Sequence, residues 1–383
     1  LFIIQGMANP LILGPRARLG IQLLVLTLAG PSAAADTLAT PVVDLHALPA
    51  LQQILPGLAE RQVVFVGEAH DEYSHHQVQL AIIRALHARH PDLVIGMEQF
   101  QQPFQPALDA WIAGEIDEPT LLRKTEYLDR WRFDWRLYRP ILAYAREQKI
   151  PVIALNVPGE LTTKVAAAGI DGLSAEEKAR LPEIDGKDDK YVARIRSVYD
   201  AHPAHAGGSF DHFLEAQLLW DEGMADRAAD YLKANPARPM VILAGEGHVA
   251  WRDGIPNRLA RRVPLSSAVV VNGPQEELGP ALADYVLLPA PETLPPRGML
   301  GVSMGAADKG VLVSGFAAGS AALAAGVEKE DRIVELDGHP VSNPTDVTLL
   351  MLDRKPGDAV DLAVSRRSWV GADKLLRYRV VLR

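Results

Sequence analysis

Four short apolar runs in this chain each end on a polar residue, and the stretches between them read as helices. Val63-Val64-Phe65-Val66 runs into Gly67-Glu68-Ala69-His70, and Leu93-Val94-Ile95-Gly96-Met97 into Glu98. Pro151-Val152-Ile153-Ala154-Leu155 ends at Asn156, and Met240-Val241-Ile242-Leu243-Ala244 at Gly245-Glu246-Gly247-His248. Runs that are continuously apolar, rather than alternating, mark strands covered on both faces, as in a parallel sheet with helical crossovers. Such sheets bind ligands outside the carboxyl ends of their strands. The pattern predicts an α/β domain, mainly parallel sheet flanked by helices, that gathers histidines, carboxylates and an amide on one rim.

The amino-terminal stretch has another texture. Arg16 and Arg18 precede an apolar run over residues 19–28, followed by Gly30-Pro31-Ser32-Ala33-Ala34-Ala35. Basic, apolar and small-residue parts in that order describe a secretory signal peptide over residues 1–35, with Met7 as a fitting start and cleavage after Ala35. The apolar run is short for a bilayer, so no retained membrane span is expected. The expected location is periplasmic or secreted. The chain contains no cysteine, so disulfides, thiolate metal sites and a lipoprotein anchor are not expected. Its formal charge of −9, more acidic once Arg16 and Arg18 are lost, gives no electrostatic footprint for nucleic acid.

Pro289-Ala290-Pro291-Glu292-Thr293-Leu294-Pro295-Pro296 reads as a stiff linker between two textures. It divides the chain into a signal at 1–35, an α/β domain at 36–288, a linker at 289–296 and a small β-rich domain at 297–383. The last segment carries "GSAALAAGV" and "DRIVELDGHPV". It resembles a PDZ domain of the bacterial secreted-protease type. That resemblance implies that Met299, Leu300, Gly301 and Val302 form the loop whose amides hold a carboxylate, and that a strand edge pairs with the extended peptide. The implied partner is a peptide or protein C-terminus; use as an internal or oligomer contact stays open, since fold alone does not set function. No protease nucleophile accompanies it: the serines lack a Gly-x-Ser-x-Gly setting, and there is no cysteine to activate.

On the rim, His70 and His248 each follow a glycine turn that is expected to end a strand sharply. Neutral imidazole ligates zinc, copper and iron. Glu98 adds a carboxylate, so His70, Glu98 and His248 form a candidate metal set with an open position. Glu68 and Glu246 are candidates for a further ligand, for fixing a histidine tautomer, or for the general base of a hydrolase. The alternative is that the histidines cap helix starts.

The strings "VVFVGEAHDEYSHHQVQLAII", "VIGMEQF", "WRLYRPILAYAREQKIPVIALNVP", "AQLLWDEGMADRAADYL" and "VILAGEGHVAWRDGIPNRL" run in order from Val63 to Leu259, within a likeness that covers roughly residues 41–286. They resemble the ChaN family of haem-binding, iron-regulated bacterial envelope proteins, within the Tiki/TraB superfamily, some of whose members resemble metal-dependent peptidases. The superfamily pattern of two Gly-x-x-His segments with an intervening glutamate maps onto residues 67–70, Glu98 and residues 245–248. The resemblance implies haem as cofactor, a role in iron uptake, tyrosine and histidine ligands, and a homodimer holding haem between protomers. Tyr73, His75 and His76 are the candidate ligands, on the opening turns of a helix that carries Val78, Ile82, Ile83 and Leu86. His75 has a solvated helix start as its alternative.

Trp131, Phe133, Trp135 and Tyr138 interleave with Arg130, Arg132, Arg136 and Arg139. They read either as a porphyrin cradle, with Arg136 and Arg139 on the propionates, or as an amphipathic helix with its aromatics in the core. His202, His205 and His212 read as a loop cluster, and Asp221 as pointing to the site or holding a helix. The function expected is a periplasmic haem- or iron-binding protein with a PDZ module that recruits a partner. The alternative is a metal-dependent envelope hydrolase using a divalent ion such as Zn or Fe.

Overall fold

The computed structural model describes residues 43–201, 208–273, 275, 278–368 and 372–383. The expected signal segment, His202 and His205 lie outside them. The four apolar runs form β1 (Val63–Glu68), β2 (Val94–Gln101), β3 (Val152–Asn156) and β4 (Met240–Gly245). Two more strands, β5 (Ser267–Asn272) and β6 (Tyr285–Leu287), complete a parallel sheet of order β3-β2-β4-β1-β5-β6. Ser267 opens β5.

The continuous apolar runs serve two cores at once. Val64, Val66, Ile95, Met97, Val241 and Leu243 face one side, packed under helices Tyr73–His87 and Trp135–Gln148. Val63, Phe65, Val94, Met240, Ile242 and Ala244 face the other, against the long helix Phe210–Ala234. Period-two alternation sends neighbouring side chains to opposite faces, and both faces are covered, so no polar residue interrupts β1 before Glu68. β1 and β4 lie side by side at the centre of the sheet, so their ends form the crevice.

Between β3 and β4 the chain builds a cap from helices Gly159–Ala168, Asp189–Ala201 and Phe210–Ala234. His212, expected in a loop, sits in the first turn of the last of these, where Ser209 caps the backbone amide of His212 at 3.3 Å. Gly223 lets this helix approach β3: a Cβ there would lie 2.1 Å from Val157 Cγ1.

The second sheet is antiparallel: β7 (Val302–Ala306), β8 (Val311–Phe316), β9 (Arg332–Leu336), β10 (His339–Pro340), β11 (Ala359–Arg366) and β12 (Lys374–Val381), with β7 at one edge. It has its own core, including Val311, Ile333, Val347, Leu362 and Val364. Helix Pro344–Met351 lies beside β7 and, with its other side, meets the large domain. Leu349 and Leu352 join the apolar core of the α/β domain, Arg123 pairs with Asp346, and Arg139 with Asp353. Among the described residues no helix is long and apolar enough to cross a membrane.

Gly223→Val should cost about 2 kcal/mol through overpacking against Val157. A denaturant midpoint shift at constant slope is the measurement.

Candidate functional site

Glu68, the last residue of β1, is buried and surrounded by donors. Its Oε1 accepts from Tyr138 Oη at 2.6 Å, His70 Nδ1 at 2.8 Å and Gln99 Nε2 at 3.0 Å, and its Oε2 from Gln79 Nε2 at 2.7 Å. Burial alone would raise its pKa. The His76 imidazole 3.5 Å from Oε2, the His70 bond and the Tyr138 hydroxyl outweigh burial and hold it at about 2. His70, with Nδ1–H committed to Glu68, turns its other edge to the rim and stands on Trp131 and Phe133, at ring-centroid distances of 4.8 and 5.0 Å. Burial works against its charge, yet the Glu68 bond and the Glu98 and Glu68 carboxylates leave its pKa raised.

His248 repeats this arrangement from β4. Its Nδ1 is 2.6 Å from Asp221 Oδ1, and its Nε2 faces Glu98 Oε1 at 3.6 Å. Against the opposing effect of burial, Glu98 and Asp221 push its pKa up to about 9. Asp221, buried midway along the long helix, also accepts from Tyr191 Oη at 2.7 Å, and the His248 charge and bond keep its pKa low despite burial. Glu98 Oε2 accepts from the Gly245 amide at 2.6 Å. Carboxylates and imidazoles thus alternate across the rim in the order Glu68, His70, Glu98, His248, Asp221.

The glycines act by closeness rather than by turn geometry. Neither Gly67 nor Gly245 has a positive φ. A Cβ on Gly245 would sit 2.8 Å from His70 Cε1, so only glycine admits the ring there.

Above this line opens a cavity of about 560 Å³, whose lining includes the apolar Ile195, Val198, Pro289 and Pro291 and the polar His70, His75, Glu246 and His248. Among the described residues, two buried polar atoms of the lining residues have no protein partner: Gln217 Nε2, a donor, and Asn272 Oδ1, an acceptor fixed in orientation because Nδ2 donates to Gly67 O at 2.7 Å. Burial raises the Glu246 carboxyl. Arg194 brings the guanidinium of the lining, paired with Asp253 at 2.5 Å.

A family profile described as "Haem-binding uptake, Tiki superfamily, ChaN" matches residues 54–259, more than half of the chain. The chain belongs to that family. A PDZ-domain profile matches residues 298–376. The structure described as cofacial heme binding to ChaN of Campylobacter jejuni is 19% identical to this ChaN-family chain, with a TM-score of 0.51 over 62% of this chain and 91% of that one. At that identity the likeness speaks for the fold. The Arabidopsis thaliana protein RETICULATA-RELATED 5, chloroplastic, is 25% identical over 232 residues; the match takes in 56% of this chain and 31% of that protein, so the chain spans less than a third of this relative's length. An HtrA-type protease, AlgW with decapeptide, is 24% identical over 23% of this chain and 30% of that one, with a TM-score of 0.20.

Several expected roles change in this ChaN-family site. Glu68 is no general base, because four donors fill its oxygens; it fixes the His70 tautomer instead. His75 is buried, not solvated: its Nδ1 accepts from the Ala69 amide at 3.1 Å, and burial lowers its pKa, so the proton resides on Nε2 and no lone pair is left for iron. Both nitrogens of His76 face acceptors, Gln79 Oε1 at 3.2 Å and His70 O at 3.1 Å. Tyr73 packs against the apolar core and does not line the cavity.

Arg136 is chelated by Asp134 and donates to Pro295 O at 2.8 Å, while Arg139 serves Glu118 and Asp353, so one braces the linker, the other the second domain, and neither lines the cavity. Trp131, Trp135 and Tyr138 are core residues. His70, Glu98 and His248 do converge, but among the described residues no group of three has metal-holding geometry, and one Glu98 oxygen is taken by the Gly245 amide.

In the peptide loop the Met299 amide already donates to Arg383 O at 2.8 Å. Leu300 is buried, Gly301 adopts a φ of +71°, and Val302 opens the edge strand β7.

Asp221→Asn should bring the His248 titration down from about 9 toward the ordinary 6.5, followed by imidazole NMR. Since the folded value exceeds the unfolded one, the stabilisation from His248 is complete below pH 6.5 and fades as pH rises through about 9. Glu68→Gln strands its donors and should cost about 3 kcal/mol in denaturant melts.

Proposed function

We propose that this chain is an exported haem-binding protein of the ChaN type whose PDZ domain recruits a partner through that partner's carboxyl terminus. The observation that carries the haem part is His70. Its Nδ1–H is committed to the buried Glu68 carboxylate, so Nε2 is the ligand nitrogen, and a carboxylate behind the ring raises its basicity. The cavity has the size of an ordinary cofactor site, and its lining combines the apolar Ile195, Val198, Pro289 and Pro291 with His70, His75 and His248. That mixture suits a flat apolar ring with a metal at its centre, while Arg194 is held by Asp253 and the Gly247 carbonyl. Bound haem supplies a redox-active iron. The protein's own part is to present one oriented imidazole, exclude bulk water with the cap, and keep His75 and His76 out of competition.

Recruitment rests on the exposed edge of β7 beside helix Pro344–Met351, where an extended peptide adds a strand. Export rests on the basic, apolar and small-residue order of residues 1–35, and fractionation of cells expressing the full chain checks it. A haem-linked dimer belongs to the same proposal and is read from the molar mass with and without haem.

The test is a haem titration of the chain from Asp36 onward, followed at the Soret band. His70→Ala should weaken binding at least tenfold, and His75→Ala should change it little. Protonated His70 has no lone pair, so affinity should fall as pH drops through its raised pKa. A spectrum that never saturates, or one indifferent to His70, rejects the reading.

One observation favours a second reading as a hydrolase: Asp221 and Glu98 flank His248, which lines the cavity, and burial raises the Glu246 carboxyl beside it. Cleavage of an ester or amide that is lost in His248→Gln and bell-shaped in pH would support it.

A further inference from the structure

We propose that residues 288–296 form a strap across the mouth of the rim cavity and that the docked PDZ domain is its latch, so that access to the cavity is set by PDZ docking. Pro289 and Pro291 line the cavity, yet among the described residues no hydrogen bond ties residues 288–294 to the body of the protein. The strap is fastened only at its ends. At one end Leu287 accepts from the Gly273 amide at 2.8 Å, where β6 joins the sheet. At the other, Arg136 holds Pro295 O, Leu294 packs on the α/β core, and the PDZ domain begins.

A proline-rich segment is stiff enough for its end positions to set its course. The PDZ domain, which continues from the second end, docks beside it on the α/β domain: Arg123 pairs with Asp346, Arg139 with Asp353, Thr345 with Asp129 at 3.5 Å, and Leu349 and Leu352 enter the neighbouring core. The polar contacts are exposed and individually weak, so removing them loosens the latch, while Leu349 and Leu352 supply its apolar part. The inference holds whichever ligand the cavity takes.

The absence of cysteine gives a clean probe. Ser74, buried on the cavity wall, is replaced in Ser74→Cys, and its reaction with N-ethylmaleimide is followed by mass spectrometry in the full chain. Adding Arg123→Glu with Asp353→Arg should speed labelling about tenfold, from the loss of two ion pairs. Asp353→Asn alone should speed it less, in the same direction, and serves where the double reversal fails to fold by circular dichroism. Equal labelling rates with and without the latch substitutions overturn the proposal. Because no haem enters the measurement, its outcome is independent of whether haem binds.

Discussion

A single buried carboxylate organises this protein. Glu68 has been taken out of water at the end of the central strand, which is costly for a charge, and the cost is met by donors from four places: His70 in the following turn, Gln79 on the helix after it, Gln99 on β2 and Tyr138 on the helix before β3. Each donor pins its own element at the rim. The aromatics beneath His70 are in place because the segment that carries Tyr138 must reach Glu68. The histidine that faces the cavity is therefore oriented by the same group that ties sheet to helices, and fold and site cannot be varied separately there.

The alternation of charge along the rim follows from this anchoring. Each histidine has a carboxylate behind it, Glu68 or Asp221, and the two share Glu98 between them. Both rings are consequently more basic than free imidazole although both are buried. Such a line can store and pass a proton, and it can also present a nitrogen to iron. Ile195, Val198 and the strap prolines bring apolar surface to the lining, which weighs toward a flat ligand, while Glu246 and Gln217 bring polar groups.

Much of this was legible in the chain. Continuous apolar runs place β1 to β4, and a polar residue at the end of each places the rim. Less visible was β5, which brings Asn272, because its short run opens on serines. Asp221 is a mid-helix residue far from the strands, and only the approach allowed by Gly223 puts its helix over the rim. The state of His75 and His76 depends on a backbone amide and a glutamine that no spacing rule reveals. Arg136 and Arg139 looked suited to an acidic ligand; their acidic and carbonyl partners include groups more than 150 residues away, in the linker and the second domain. Local pattern shows what a residue is able to do, and tertiary contacts decide which of its options it keeps.

Leu349 and Leu352 have a further consequence. They belong to the small domain by sequence and to the large domain's core by packing, together with Leu294 from the linker. Trimming the chain at its proline-rich boundary would bare an apolar patch on the larger piece and invite self-association. The two modules are thus poor candidates for exchange like beads on a string: a different small domain grafted at the same point would need to bring its own leucines to the seam.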